Sequence, residues 1–141
     1  MAALAALLQA TAAPAGGAGW TWSLYEGDGP LVLANEIPDT PNLRTTLECT
    51  PGSGAVELTL YGPVVGPGFV SVTAGDASTA SEARSGRGRS TALMLRVDHP
   101  VFIAFAADGD LQVRSGGSSA QVAVPPAHLP KLRRFADLCA G

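Results

Sequence analysis

The side chains best equipped for chemistry in this 141-residue chain come in twos: two cysteines, two histidines, two tryptophans and two tyrosines. Cys49 stands just before a Pro51-Gly52-Ser53-Gly54 turn, and Cys139 is third from the C-terminus. Neither cysteine lies near a histidine in sequence. A thiol on an inward face is also a poor nucleophile, so catalysis by cysteine is not expected. His99 and His128 are too widely spread to match a zinc site and are expected at the surface. Asp108-Gly109-Asp110 lacks the further oxygen ligands and terminal glutamate of a calcium loop and reads as a hairpin turn. Gly52-Ser53-Gly54 is not the Gly-x-Ser-x-Gly nucleophile elbow. Gly86-Arg87-Gly88 lies between two expected strands rather than before a helix, which argues against a phosphate cradle. No metal or other cofactor is expected.

Three groupings remain. Arg84, Arg87 and Arg89 fall within RSGRGRS, a glycine-hinged loop able to grip a phosphate, a sulfated glycan or an anionic head group. A solvated hairpin tip is the competing reading. Trp20, Trp22, Tyr25 and Tyr61 could form an aromatic platform for a sugar, but Trp20 and Trp22 share a strand face, and one or both are expected to plug the core instead. Glu48 and Glu57 would project from the solvent face of one hairpin as a hydrolase would need, but nothing singles them out from the other ten acids.

Nine basic and twelve acidic residues leave a net charge of −3, so there is no global positive field to attract nucleic acid. The charge is uneven. Residues 26–82 hold eight carboxylates and Arg44 alone, whereas residues 83–141 hold eight bases and four acids. The two halves are expected to pair across a sheet or to solvate different faces.

These residues must be positioned by short strands. Seventeen glycines and eleven prolines, scattered without period, indicate many tight turns. Strands are expected at 20–26, 31–37, 43–49, 55–61, 69–75, 78–85, 90–97, 101–106, 111–115 and 119–124. The clearest hairpin joins 43–49 to 55–61, where Val56, Leu58 and Leu60 alternate with Glu57, Thr59 and Tyr61. VFIAFA, residues 101–106, is apolar on both faces and is expected as a central, covered strand. The whole predicts an all-β sandwich or flattened barrel of nine or ten short antiparallel strands.

One helix, 130–139, should end the chain. Leu132, Phe135, Ala136 and Cys139 form a single apolar stripe, with Lys131, Arg133, Arg134 and Asp137 outside it. Cys49 shares the inward strand face of Leu47, so both cysteines face the same core, as a sheet-to-helix disulfide requires. Two buried reduced thiols are the alternative.

The first 25 residues carry no charge, and Ala2 to Leu8 are apolar. Small-x-small patterns at Ala-Thr-Ala-Ala and Ala-Pro-Ala suit a signal peptidase, although the usual Lys or Arg at the start is missing. Residues 1–19 are therefore expected to be a signal or an Ala-rich leader to a domain spanning 20–141, with an Ala-rich tail on a cytosolic protein as the alternative. The apolar run is shorter than the roughly 20 residues that span a bilayer.

LECTPGSGAVELTLYG and the tail LQVRSGGSSAQVAVPPAHLPKLRRFADLCAG together resemble a loose group of small secreted β-proteins of alphaproteobacteria. In that group a strand cysteine before a glycine turn is answered by a terminal Leu-x-x-Phe helix ending in cysteine. The resemblance covers about half of the expected mature domain and implies a periplasmic domain stapled by a disulfide. It brings no catalytic residues. The expectation is thus an exported, periplasmic or secreted, non-enzymatic binding or envelope-associated domain. Its partner would be an envelope component, a glycan or an anionic small ligand. The alternatives are a carbohydrate- or anion-binding module that uses the aromatic cluster and the arginine loop, and a hydrolase.

Overall fold

A computed structural model of the chain describes residues 19–62 and 65–141. Residues 1–18, on which the leader reading rests, lie outside the described residues, as do Pro63 and Val64. Nine strands form: β1 (Thr21–Tyr25), β2 (Leu31–Glu36), β3 (Leu43–Cys49), β4 (Ala55–Tyr61), β5 (Gly68–Ala74), β6 (Ala77–Ser85), β7 (Ser90–Arg96), β8 (Asp110–Ser115) and β9 (Ser118–Ala123). Helix α1 (Pro100–Asp108) links β7 to β8, and a single 3-10 turn (Pro126–His128) leads into α2 (Leu129–Ala140).

The strands make one antiparallel sheet in the order β1-β2-β3-β4-β7-β6-β5-β8-β9, curled into a half-barrel. The protein is thus an all-β fold with a C-terminal helix. The sheet passes from one half to the other along β6. Its first seven residues pair with β5, while Arg84 and Ser85 pair with Ala92 and Thr91 of β7.

Alternation fixes the register, since a one-residue slip would turn every leucine outward. Leu24, Leu33, Leu47, Leu58 and Leu93 are successive cross-strand partners from β1 to β7. The last four are fully buried. The neighbouring row on the same face is Trp22, Asn35, Thr45, Leu60 and Thr91. The inner face therefore becomes polar towards one end, and that change locates the site described below.

The stretch expected as a covered strand at 101–106 is instead helix α1. A short apolar run cannot be assigned by periodicity alone, and here the flanking residues decide. His99 caps the helix, its Nδ1 accepting from Val101 N at 3.1 Å, and Pro100 occupies the first turn, where a missing N–H costs nothing. Gly109 stops it in a left-handed conformation, φ +81°, with its N–H donating to Phe105 O. Val101, Phe102 and Phe105 enter the core, the two rings edge to face with centroids 5.7 Å apart, while Ile103 stays 57% exposed. Asp108-Gly109-Asp110 is consequently the end of a helix rather than a hairpin turn.

Helix α2 sits on β1, β2 and β4 with Leu132, Phe135 and Cys139 buried, as its stripe requires. Its basic residues hold neighbouring elements. Lys131 Nζ donates to Trp22 O of β1 at 2.7 Å. Arg133 reaches the carbonyls of Ala106 and Ala107 at the end of α1, which lack helical partners. Arg134 grips both carboxylate oxygens of Glu26 at 2.8 Å, drawing that carboxyl below its usual range, mainly through the hydrogen bonds. With Arg84 paired to Glu57, the basic half of the chain meets the acidic half at two points.

At its far end α2 is fastened twice. Cys49 and Cys139 form a disulfide with Cα atoms 5.9 Å apart, and neither thiol is free. Beside it, the turn after β3 supplies backbone donors to the last helical carbonyls, Gly52 N to Leu138 O at 3.1 Å and Gly54 N to Cys139 O at 2.9 Å. The Pro51–Gly54 turn is therefore a C-terminal cap lent by another part of the chain.

Candidate functional site

The first and last strands of the sheet approach each other without forming a ladder among the described residues. Their contact is made by a side chain. Trp22 of β1, 3% exposed, plugs the gap, and its Nε1–H donates to Ala123 O of β9 at 3.1 Å. Beside this plug lies a cleft of about 260 Å³. Trp20, Thr21 and Trp22 line one wall, Gln121 and Ala123 the opposite one. Asn35, Arg44 and Thr45 come from β2 and β3, and Pro125, Ala127 and His128 from the segment entering α2.

Each member is placed by a local feature of the fold. Trp22, Asn35 and Thr45 are consecutive partners in the inner row where the leucines give way to polar residues. The register shifts between Asn35 and Glu36, beside Arg44. The Arg44 guanidinium carbon lies 4.0 Å from the centre of the Trp20 ring, within cation–π range. His128 is held by prolines at 125, 126 and 130 and by the 3-10 turn, at the start of α2. Among the described residues only two buried side-chain polar atoms lack a hydrogen-bond partner, His128 Nδ1 and Thr91 Oγ1. Leaving such an atom unsatisfied costs about 1–3 kcal/mol. Thr91 closes the same cross-strand row but does not line the cleft; His128 does.

Burial, and secondarily the Lys131 ammonium, hold His128 below the ordinary imidazole range. A histidine whose folded-state pKa is depressed favours the neutral form in the native state. Its contribution is present above the unfolded value of about 6.5 and is lost as pH falls through that value to the lower folded one. Glu26 acts in the same direction but in a lower window, below the usual carboxylate value. Thermal melts of the intact chain should therefore show Tm falling between pH 7.5 and 5.5, with a shallower fall in His128→Gln. Identical slopes for the two proteins would show that His128 is not desolvated.

The residues singled out in the sequence are distributed as follows. Trp20 and Trp22 come together in the cleft, Trp22 chiefly as a core plug. Tyr25 is exposed, with its hydroxyl on the Glu36 carboxylate, which raises its pKa. Tyr61 lies 3.5 Å from Thr46 Oγ1, and neither tyrosine lines the cleft. Arg84 is paired with Glu57, while Arg87 and Arg89 are exposed on the β6–β7 turn, away from the tryptophans. Glu48 and Glu57 are direct cross-strand partners lining a shallow groove beside Met94. Among the described residues no group of three His, Cys, Asp or Glu gathers as a metal site, and no helix is long and apolar enough to cross a membrane.

Arg44, Asn35 and Gln121 are cleft residues that the sequence did not single out as candidates. His128, read as a surface histidine, is half-buried. The proline-bounded segment PPAHLP was the available signal, because it fixes one histidine rigidly at a helix entrance. No protein-family model, curated protein or solved structure matches this chain.

Proposed function

We propose that this chain is an exported, non-enzymatic binding domain that holds a small ligand in the cleft between β1 and β9. The observation that carries the reading is the cleft itself, about 260 Å³, where Trp20, Pro125 and Ala127 meet Asn35, Thr45 and Gln121. Apolar walls with a few convergent polar groups are the usual make-up of a small-molecule site. No carboxylate, serine or cysteine lines the cleft, which favours retention of a ligand over its hydrolysis.

Export is supported by the sheet-to-helix disulfide, since such bonds persist in oxidising compartments. The charge-free N-terminal sequence and the resemblance to small secreted β-proteins of alphaproteobacteria point the same way. The arginine turn is a weaker candidate for the same role, because Arg84 is already engaged by Glu57.

A ligand-observed NMR screen of a diverse fragment library against the full chain tests the proposal. Hits are expected to be lost in Trp20→Ala and in Gln121→Leu, and kept in an Arg87→Ala/Arg89→Ala variant. A set of hits indifferent to both cleft substitutions would overturn it.

A further inference from the structure

We infer that the ligand of this cleft is an extended peptide segment that adds to the sheet as a tenth strand beside β9, running antiparallel to both β9 and β1; this rests on the cleft being the binding site. Backbone direction comes first. Every pairing from β1 to β9 is antiparallel. An even number of reversals leaves β1 and β9 parallel to each other, and the two share no ladder among the described residues. One strand set between them in the opposite sense is antiparallel to both, as every other neighbour in this sheet is.

Main-chain groups supply the chemistry. Val124 N donates to Gly109 O on the β8 side, whereas Ala123 O accepts from the Trp22 indole on the open side. Successive residues of a strand direct their N–H and C=O groups to opposite sides. Gln121 and Ser119 therefore face the same way as Ala123, and β9 pairs with β8 alone among the described residues. The open edge thus presents the N–H and C=O of both residues at the spacing of an extended chain. Two residues back from the Trp22–Ala123 contact, the parallel course of the strands sets Trp20 across from Gln121, and both line the cleft.

This edge is also unguarded. Proteins ordinarily blunt a sheet edge with charge, proline, a bulge or a covering element. SSAQVA, residues 118–123, has no charged residue and no proline, and it pairs with β8 along its whole length without a register shift. The β1 edge differs, because α2 packs on that strand and Lys131 Nζ takes up Trp22 O. An open edge beside apolar Trp20, Pro125 and Ala127 is what strand addition needs: main-chain bonds hold the peptide and a pocket selects alternate side chains. The Trp22 plug at Ala123 confines the new ladder to Gln121 and Ser119. A segment of about five residues, at roughly 3.4 Å each, spans it, with an apolar residue toward that wall.

An NMR screen of the full chain with blocked pentapeptides, randomised among apolar residues at alternate positions, tests this. At least one is expected to bind and to slow amide exchange at Ser119 and Gln121 tenfold or more, a readout on the unaltered protein. N-methylation of that peptide's backbone at one alternate set of positions should abolish binding, and at the other set should leave it intact. Gln121→Pro removes an N–H that lies outside the β8 ladder, a change edge strands tolerate, and should weaken binding tenfold or more. Equal binding by both methylated series would overturn strand addition. Fragments held in the cleft with no peptide bound would overturn it too, and leave the cleft reading standing. Ser119 and Gln121 amides already slow to exchange in the free monomer would assign the edge to the chain's own N-terminal residues. The same slowing on self-association would assign it to a second copy, and either result overturns a peptide partner. Peptide binding that leaves both amides unprotected and survives Trp20→Ala would place the site elsewhere and defeat both readings.

Discussion

Replacing Cys49 and Cys139 together by alanine is expected to lower the unfolding free energy by about 2–5 kcal/mol. The bond closes a loop of 90 residues of separation. By the chain-entropy treatment a loop near that length restricts the unfolded ensemble by about 4–5 kcal/mol. The tether also holds an element that little else would keep in place. A helix of twelve residues is marginal alone, and α2 depends on Leu132 and Phe135 in the core and on the Gly52 and Gly54 donors at its end. Urea denaturation of the oxidised protein, the reduced protein and the double variant measures the effect, and the last two should coincide. Amide exchange at Leu138–Ala140 should accelerate first. Equal midpoints for all three would mean that packing alone holds the helix.

The second large effect is expected of Gly109→Ala, at about 3–4 kcal/mol. A left-handed conformation costs an L-residue about 1–2 kcal/mol, and the clash adds to it. A Cβ at this position would lie 2.2 Å from Val124 O and 3.0 Å from Leu129 Cδ2. The first neighbour is backbone and cannot rotate away. To make room, the chain would have to open the bond from Val124 N to Gly109 O, now 2.7 Å. Val124 immediately precedes the proline segment that carries His128, so the same substitution should weaken ligand binding at the cleft. Gly86→Ala is the informative contrast. There the new methyl would meet Ser90 Oγ, a hydroxyl that can turn aside at the loss of its bond to Arg87 O. About 1 kcal/mol or less is expected. Chemical denaturation of both variants decides the matter, and similar losses would show that the Gly109 approach is not the constraint described.

These two sites also show what a sequence can disclose. The Cys49–Cys139 pair was legible because both residues lie on periodic faces, one on a strand and one on a helical stripe, and each face had to meet the core. The β3–β4 hairpin was legible for the same reason, with Glu48 and Glu57 on one face; that they stand directly opposite each other is a matter of register. Helix α1 was not, because VFIAFA has no polar face to betray its period. Its identity resides in the cap at His99, in Pro100 and in the left-handed Gly109. The cleft was half legible. The shared face of Trp20 and Trp22 could be read from their spacing, but the wall opposite comes from β9, about a hundred residues later. That juxtaposition depends on how far the whole sheet curls, a property no local pattern carries. Arg44 stood out only as the sole base of its stretch and His128 read as a surface histidine, because the cleft that gathers them is built from elements distant in sequence.

The most direct test of the central claim uses the chain's two indoles, which give two side-chain signals in a proton–nitrogen correlation spectrum. Trp20 lies against Arg44, and the Trp22 indole N–H is bonded to Ala123 O at the seam. Titration with a ligand that binds the cleft should move both indole signals and the Gln121 side-chain amide together, saturating at one affinity, while the backbone amides of Arg87 and Arg89 stay still. Saturable binding that leaves both indoles unmoved would contradict a site between β1 and β9.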